Sequence, residues 1–537
     1  MKMRPNVAEL QREKVVMELE GIDRMYLNAY VPQLTTGAGV AGFVRFHLGY
    51  RFASTKQVCE MTERFVKRIR KFAERERIEV VHFEKGQRKD SVMQERLSHF
   101  TKKEGVVFIG VAQEKAHVPR TERRQYAEGS VPWIAYSSAM VNFYYFYCFD
   151  ENFGPFFLKF CSYFPYTAKL CLNGHEYLKR QLKRQGIAFE DLDNGIASCA
   201  RVDRAQEICD QLDEPTIDRF FRKWLGRLPH PFSACDRKAG YRYQLSLWQA
   251  EFSLTQVWEK GVYGRHFFEE VIRENLDLGR PEQMQLIFGR KVQRKLVATG
   301  QFRTRIITEG VIPSVHIYYK NTHLKQYHKQ VGARHALRTE TTINNTRDFQ
   351  VGRLLHNLPT LREIGFAANR RLLEIETLSH DCQVGAAAFT ALQQPVDRDG
   401  QHGSALRFGD TRVQAVLTVL LKMSLQVEGF RNRQLRPLLA QYLGLKETDM
   451  TPGRMTYDLR RLRLHRLIER IDGTHRYRLT DAGLRTALFY SRVYARVLRP
   501  GLSILHDPRI AELHPISKHM RQLQKELDDY IIEQIAA

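Results

Sequence analysis

Residues 453–480 read GRMTYDLRRLRLHRLIERIDGTHRYRLT, and this stretch decides the fold class that we predict for the carboxyl-terminal part of the chain. Its first half predicts an α-helix, because apolar residues recur there at the spacing of one helical face: Met455, Leu459 and Leu462. Most of the polar residues between them fall elsewhere on the helix, and they include Arg454, Tyr457, Arg460 and Arg461. The pattern therefore predicts a helix with an apolar side and an arginine-rich side.

The second half of the stretch predicts a two-stranded ribbon. Asp472-Gly473 stands between extended residues, and this pair favours a hairpin because type I′ turns need positive φ at both central positions. Thr480-Asp481 then predicts the capped start of another helix. A helix, a hairpin and a further helix make up the layout of a winged helix-turn-helix, which places one helix in the DNA major groove.

Two further helices are predicted ahead of this stretch, at 412–425 and 432–443, with Gly444 as the stop signal of the second. The motif YDLRRLRLHRLIERI…HRYRLTDAG, within residues 410–485, resembles the winged-helix domains of MarR-type bacterial regulators. In those domains a leucine-spaced recognition helix precedes a wing that contains tyrosine. The resemblance implies a DNA-binding winged helix, which we place at residues 406–500.

Charge supports this interpretation. Residues 451–500 hold 12 Arg, no Lys and 4 acidic residues, which is +8 of the formal net charge of +24. Arginine without lysine favours planar, bidentate contact with phosphate or guanine. The alternatives are a protein–protein module and a solvated arginine face. The candidate nucleic-acid-binding residues of this region are Arg454, Tyr457, Arg460, Arg461, Arg463, His475 and Arg476.

Composition limits the classes of protein to consider. The chain has 537 residues, 43% of them hydrophobic and 11% aromatic, which is typical of several folded domains. A net charge of +24 predicts an anionic partner, DNA most readily and RNA as the alternative. The most apolar region, 141–172, is interrupted by charged residues, so we predict no membrane partner. Eight cysteines without a CxxC pair indicate reduced thiols in a cytoplasm. The resemblance to bacterial regulators implies that this cytoplasm is bacterial and that the protein associates with the nucleoid.

The fold class predicted for the whole chain is α+β with several domains. An α/β domain with a partly parallel sheet is expected at 1–130, because strand and helix patterns alternate there. Aromatic-rich strands followed by a mainly helical region are expected at 131–285, and a basic β-sheet with helices at 286–405. The winged helix at 406–500 follows. A tail helix at 511–535, within the last segment 501–537, could pair two copies of the chain as a homodimer.

Residues 302–343 give the second group of candidate site residues. Alternation places Lys325, Tyr327 and Lys329 on one face of a strand, and Arg338 with Glu340 on one face of the next. If the strands pair in register, these faces form one polar array. The candidate nucleic-acid contacts here are Lys320, Lys325, Lys329 and Arg338. The form LKQYHK…LRTE resembles strands of rolling-circle replication initiators, a resemblance that implies catalytic roles for Tyr327 and Glu340, although no His-hydrophobe-His triplet is present.

Two polar clusters of the amino-terminal region suggest a nuclease. Glu84 follows one predicted strand, and Gln113-Glu114-Lys115 follows another, at the end of a sheet where ligands bind. The arrangement resembles the Gln-x-Lys variant of restriction-like nucleases. That resemblance implies a catalytic pair, Glu84 and Lys115, with Mg²⁺ bound by the acid. The alternatives are a phosphate-contacting loop and a solvated turn.

Three phrases also resemble uncharacterised bacterial proteins of mobile or plasmid-borne DNA: FGPFFLKFCSYFPYTAKLCLNGHE, ALRTETTIN and MTYDLRRLRLH…RIDGTHRYRLTDAG. We therefore expect a nucleic-acid-binding protein that takes part in DNA or RNA processing, such as cleavage, strand transfer or replication initiation. One alternative is a winged-helix transcriptional regulator with a large ligand- or partner-binding region. Another is a non-catalytic RNA-binding component of a nucleoprotein complex.

Overall fold

The computed structural model describes residues 13–84, 86–126, 129–274, 302–307, 313–380, 384–398, 400–423 and 429–494, with isolated positions at 10, 11, 287, 288, 522, 525 and 526. The chain divides into two compact units. The sheet unit comprises residues 9–276 and 293–370, and the C-terminal unit comprises residues 1–8, 277–292 and 371–537. Apart from three positions, the predicted tail helix at 511–535 lies outside the described residues.

One large mixed sheet organises the sheet unit. Its described strands are, in chain order, β1 (Val15–Tyr30), β2 (Val80–His82), β3 (Gly105–Tyr126), β4 (Gly129–Asp150), β5 (Gly154–Cys161), β6 (Ala168–Asn173), β7 (Phe189–Asp191), β8 (Ile196–Cys199), β9 (Gln244–Trp258), β10 (Phe302–Ile307), β11 (Ser314–Tyr319), β12 (Thr322–Val331) and β13 (Arg334–Ile343). Eleven of them pair in the order β10-β11-β12-β13-β9-β1-β6-β5-β4-β3-β2, while β7 and β8 form a separate hairpin. Of the sheet's pairs, β2 and β3 are parallel and the others are antiparallel.

Helices cover part of this sheet. They are α1 (Gly37–Gly42), α2 (Thr55–Glu76), α3 (Lys89–Ser98), α4 (Gly174–Arg184), α5 (Val202–Asp210), α6 (Glu214–Arg227), α7 (Ala234–Lys238), α8 (Gly261–Glu274) and α9 (Leu358–His380), whose residues from 371 onward fall in the C-terminal unit. In α2 the buried residues recur every three or four positions, as an amphipathic helix requires: Val58, Met61, Phe65 and Ile69. The ring of Phe65 packs edge-on against Phe160 of β5, so α2 lies on the apolar face of the sheet.

The other face of the sheet carries charged and aromatic side chains, and we name it the polar face. Cross-strand partners point to the same side of a sheet. Tyr145 is paired with Lys159, and Lys159 with Lys169, across β4, β5 and β6. On the far side of β1, Lys325 is paired with Glu340 across β12 and β13. The polar array predicted for β12 and β13 is therefore confirmed in its register.

The mixed sheet with helices confirms the prediction that the fold combines strands and helices. The strands do not divide among the predicted regions as we expected. Strands from 1–130, from 131–285 and from 286–405 all join one sheet, so the predicted boundaries at 130 and 285 pass through it. The expectation of a mainly helical region in the later part of 131–285 was wrong at β9, a 15-residue strand. β9 pairs with β1, which lies more than 200 positions earlier in the chain, and no local sequence pattern predicts such a pairing.

The C-terminal unit is mostly helical over its described residues. Its elements are α10 (Ala386–Gln393), β14 (Val396–Arg398), β15 (Gln401–Gly403), α11 (Thr411–Met423), α12 (Asn432–Leu443), α13 (Pro452–Leu464), β16 (Ile468–Arg470), β17 (Tyr477–Leu479) and α14 (Asp481–Arg492). The helices predicted at 412–425 and 432–443 are confirmed as α11 and α12, and Gly444 ends α12 in the left-handed conformation. The predicted apolar side of α13 is also confirmed, because Met455, Leu459 and Leu462 are buried.

The ribbon of β16 and β17 turns at the predicted place but with another geometry. Thr474 donates its backbone N–H to the Ile471 carbonyl at 3.1 Å, which closes a turn around Asp472 and Gly473. Gly473 has a φ of 70°, whereas Asp472 is not among the residues with positive φ. The prediction of a type I′ turn was therefore wrong, because a loop longer than two residues joins the strands and needs only one left-handed position. Among the described residues, no helix has both the length and the apolar composition needed to cross a membrane.

Candidate nucleic-acid interface

The outward side of α13 is formed by residues opposite its buried apolar stripe. Thr451 caps the helix, since its Oγ1 accepts a hydrogen bond from the Arg454 backbone N–H at 3.3 Å. With the start of the helix fixed in this way, three side chains spaced three residues apart are exposed: Arg454, Tyr457 and Arg460. Residues at this spacing are neighbours on a helix surface. We name this set the α13 surface.

Two cations and an aromatic ring lie close together on the α13 surface. The Tyr457 side chain is 42% exposed, and its hydroxyl lies 2.8 Å from Ser404 Oγ. The Arg460 guanidinium carbon is 5.6 Å from the centre of the Tyr457 ring, within the range of a cation–π contact. This contact restricts the position of the planar guanidinium, and Arg460 remains exposed to solvent. Such a group suits phosphate oxygens or the edge of a guanine.

The arginines of the α13 surface are not neutralised within the described part of their unit. Ion pairs there join Arg412 to Asp458, Arg478 to Glu469 and, when the imidazole is protonated, His402 to Asp397, and neither Arg454 nor Arg460 takes part in one. One Arg454 donor reaches a backbone carbonyl, that of Asp449, at 3.1 Å. Such a carbonyl carries no net charge, so the positive charge of this surface remains available to an external anion.

The remaining predicted contacts of α13 point elsewhere. Arg461 is buried, with its Nε 3.0 Å from the Ser404 carbonyl and its Nη2 hydrogen-bonded to the Ala405 carbonyl. Arg463 is half-buried and donates to Gln401 Oε1 at 3.1 Å. The structure thus places Arg461 inside the unit, where it fixes the loop at 404–405 that also contacts Tyr457. Because Arg461 is buried, its side chain cannot make the direct contact with nucleic acid that we predicted for it.

We expect Arg461→Ala to destabilise the C-terminal unit by about 1–3 kcal/mol, because the half-buried carbonyls of Ser404 and Ala405 would lose a charged donor. Arg460→Ala removes the same side chain from an exposed position next along the helix and should change the free energy of unfolding by less than about 0.5 kcal/mol. Urea denaturation of both variants measures the difference. Equal losses would contradict the assignment of Arg461 to the interior.

The ribbon contributes further cations. His475 is exposed, and its Nδ1 lies 3.1 Å from an Arg470 guanidinium nitrogen. Arg476 is half-buried and donates from Nη1 to the Gly429 carbonyl at 3.0 Å. Arg470 and Arg478 are exposed on the two strands. The predicted residue His475 therefore lies on the surface, whereas Arg476 ties the ribbon to the loop before α12.

In the sheet unit, the candidate catalytic residues of β12 and β13 lie in a buried hydrogen-bond network. The Tyr327 hydroxyl donates to Glu340 Oε1 at 2.7 Å, and Asn194 Nδ2 contacts the same two groups at 2.9 and 3.1 Å. Lys329 Nζ reaches Asn194 Oδ1 at 2.9 Å. Burial first, and then the Glu340 carboxylate, raises the pKa of Tyr327 above its usual range, which disfavours a nucleophilic phenolate.

Arg338 is the most enclosed member of this network. Its side chain is 1% exposed, and its guanidinium contacts Asp23, Thr255 and Glu340. Its predicted contact with nucleic acid would require it to leave this position. Lys325 is half-buried over the Tyr327 ring, and Lys320 is half-buried at the turn between β11 and β12 with a φ of 51°. Only the lysines of this group thus lie partly at the surface.

Three carboxylates meet beside Arg338, and of these only Glu340 was a candidate from the sequence pattern. Single oxygen atoms of Asp23, Glu251 and Glu340 lie within 4.8 Å of one another. Burial, followed by repulsion from Asp23 and Glu340, raises the pKa of Glu251 to about 7. Burial likewise raises the pKa of Asp23 to about 6, against the opposing effect of Arg338. The Arg338 guanidinium pairs with Asp23 and Glu340 and offsets part of this negative charge, and the use of Mg²⁺ stays a prediction.

The candidate nuclease pair of the amino-terminal region lies at another part of the sheet. Glu84 is exposed after β2, and Lys115 is exposed on β3. Six strands separate β3 from β12, so these residues and Tyr327 do not form one centre. Strand alternation turns Lys115 away from Glu114, which bonds to Lys89, Lys159 and Tyr145. Burial favours protonation of Glu114, but hydrogen bonds from Lys159 and Tyr145 outweigh it and lower its pKa to about 2.

Protein-family models, curated proteins and solved structures were each compared with the chain, and none of them matches it. The functional assignment therefore depends on the physical features of the two units.

Proposed function

We propose that the chain is a DNA-binding protein and that α11 to α14, with the β16–β17 ribbon, form a winged helix-turn-helix. The order of elements supports this proposal: α12 and α13 are joined by residues 444–451, which include a 3-10 turn at Glu447–Asp449, and the ribbon follows α13 directly. In such a module the second helix of the pair enters the major groove and the ribbon reaches the sugar-phosphate backbone. Here these roles fall to α13 and to β16 with β17.

The observation that carries the proposal is the α13 surface, where Arg454, Tyr457 and Arg460 are exposed and the two arginines lack a carboxylate partner among the described residues. Arginine is the side chain most often used for bidentate contact with guanine in the major groove. The exposed cations of the ribbon, Arg470 and Arg478 together with His475, would add backbone contacts of the kind that position a protein without reading sequence.

The groove dimensions favour DNA over double-stranded RNA as the partner. The major groove of B-form DNA is wide enough to admit an α-helix, whereas that of A-form RNA is deep and too narrow for side chains to read. Because α13 presents its cations along a helix, a B-form duplex fits it better. The net charge of +24 would strengthen this association at low salt.

We further propose that the chain takes part in DNA processing within a mobile or plasmid-type element. It is supported by the size of the sheet unit, which exceeds what a repressor needs for dimerisation. Cleavage, strand transfer and replication initiation all require a protein to hold DNA while its strands are handled. Release of labelled products from supercoiled DNA in the presence of Mg²⁺ would favour cleavage over the alternative of a transcriptional regulator.

Binding of the purified chain to a fluorescent 30-base-pair duplex tests the proposal. We expect the logarithm of the association constant to fall linearly with the logarithm of salt concentration, by about 0.9 for each phosphate contact. Competition with an RNA duplex of the same sequence is the control for the choice of nucleic acid. Failure to bind DNA at low salt, or tighter binding to the RNA duplex, would contradict the proposal.

A further inference from the structure

A second surface with the chemistry of nucleic-acid binding lies on the polar face of the sheet, around Trp248. The register between β1 and β9 shifts at this point, since Tyr26 is paired with Gln249 and Leu27 with Leu247. Trp248 is the extra residue of β9 and has no partner on β1. A bulge of this kind re-aims a side chain, and the Trp248 side chain is 43% exposed.

Two cations flank the Trp248 ring. Lys169 Nζ lies 4.1 Å from the ring centre, and the Arg353 guanidinium carbon lies 5.9 Å from it. The backbone carbonyl of Arg353 accepts the Leu247 N–H at 2.6 Å, which holds this cation beside the bulge. An exposed indole between an ammonium and a guanidinium combines a stacking surface with two groups that attract phosphate.

The positive charge continues along one cross-strand row of the polar face. Lys169 is paired on one side with Asn28 of β1 and on the other with Lys159 of β5. Lys159 forms an ion pair with Glu114 at 2.7 Å, but Lys169 takes part in no ion pair within the described part of the chain. Two adjacent ammonium groups with one carboxylate leave an excess of positive charge. Burial, and next the charge of Lys159, lowers the pKa of Lys169, so an external anion at this place would relieve the repulsion.

Aromatic rings alternate with the lysines along the same row. Lys159 Nζ lies 4.8 Å from the ring centres of both Phe143 and Tyr145, and Lys89 Nζ lies 4.1 Å from that of Tyr145. Successive strands are about 4.8 Å apart, so the row from β5 to the Trp248 strand spans about 14 Å. The Phe143 and Tyr145 rings are buried and hold Lys159 in place, whereas the Trp248 ring is exposed, so stacking of a base on this row would take place at Trp248.

We propose that Trp248, Lys169 and Arg353 form a docking site for single-stranded DNA, in which a base stacks on the indole and the flanking phosphates contact the two cations. A single strand is the form that fits, because its bases are free to stack on a protein ring, whereas those of a duplex are already stacked on one another. The choice of DNA instead of RNA rests on the proposed function. The site itself is separate from the α13 surface in sequence and in unit.

Fluorescence of the intact chain provides the test, because the four tryptophans differ in exposure. Trp224 and Trp258 are 1% and 5% exposed, whereas Trp133 and Trp248 are 37% and 43% exposed. We expect oligo(dT) to quench the emission of the wild-type chain. Trp248→Leu should abolish most of that quenching and weaken oligo(dT) affinity, measured by anisotropy of a labelled oligonucleotide, by about 5- to 150-fold, the range for loss of one stacked base.

Trp133→Leu is the matched control, since it removes an indole of similar exposure from the β3–β4 hairpin and should leave affinity unchanged. Lys169→Gln should reduce the salt dependence of binding by about one phosphate contact. Unchanged affinity in Trp248→Leu, equal losses in both tryptophan variants, or tighter binding of oligo(U) than of oligo(dT) would each overturn the proposal. The Arg454→Ala/Arg460→Ala variant should retain oligo(dT) binding, so failure of the duplex site and failure of this site give different results.

Discussion

Replacement of Arg338 by methionine should lower the free energy of unfolding of the sheet unit by about 3–5 kcal/mol. The guanidinium is enclosed, with 1% exposure, and it balances the carboxylates of Asp23 and Glu340. Methionine fills similar volume but leaves two buried acids without a counter-charge. Urea denaturation followed by the emission of the buried residues Trp224 and Trp258 measures the loss.

Arg305→Met is the matched control for this prediction. Arg305 is exposed on β10 of the same sheet, so the same replacement should cost less than about 0.5 kcal/mol there. Adding Asp23→Asn and Glu340→Gln to Arg338→Met should restore part of the stability, because the uncompensated charges are then removed. A cost below about 1 kcal/mol for Arg338→Met alone would show that the network contributes little to the fold.

The double variant Arg454→Ala/Arg460→Ala should weaken binding to duplex DNA by about tenfold or more at moderate salt. If each guanidinium contacts one phosphate, the slope of log association constant against log salt should also fall by about 1.8. Both side chains are exposed and neither forms an ion pair among the described residues, so the fold should be unaffected. Anisotropy of a labelled duplex over a series of salt concentrations measures both quantities.

Arg75→Ala/Arg265→Ala is the corresponding control for charge. These arginines are 72% and 69% exposed and lie in the sheet unit, and both double variants lower the formal net charge of +24 by two. If binding depends on diffuse charge alone, the two variants will weaken it equally. If the α13 surface contacts DNA directly, Arg454→Ala/Arg460→Ala will lower the affinity for DNA more than the control variant does.

The helices of the C-terminal unit could be predicted because their signals are local. Thr451 followed by Pro452 supplies a cap and a favoured first residue, and Gly444 supplies a left-handed stop. The buried stripe of α13 repeats every three or four residues, so its periodicity can be counted directly. The turn of the ribbon was harder, since Asp-Gly is compatible with several turn types and the strand ends decide among them.

The sheet unit was predicted less well because its pairings are long-range. Asp23 and Arg338 are 315 positions apart, yet they share an ion pair in the interior. They are brought together because β9 pairs with β1 on one side and with β13 on the other. Nothing within the sequence of any one of these strands indicates its partners. Register between β12 and β13, which are joined by a short turn, could be predicted from alternation alone.

Within the candidate site, the exposed Arg460 and the buried Arg461 of α13 could not be told apart from the sequence either. Arg460 faces solvent, and Arg461, rotated by about 100° around the helix, points to the carbonyls of the 404–405 loop. The sequence places both on the polar side, because nothing in the helix itself indicates where that loop lies. Accessible and structural arginines could therefore be separated only once the packing was known.

Photocrosslinking at position 457 tests the central claim most directly, namely that the α13 surface contacts duplex DNA. Tyr457 is replaced by a benzophenone amino acid, and the intact chain is irradiated with a labelled duplex; the same replacement at Tyr50, 39% exposed in the sheet unit, is the control. We predict a salt-sensitive crosslink to DNA from position 457 that unlabelled duplex competes away. No crosslink from position 457 under conditions where the duplex is bound would contradict the claim.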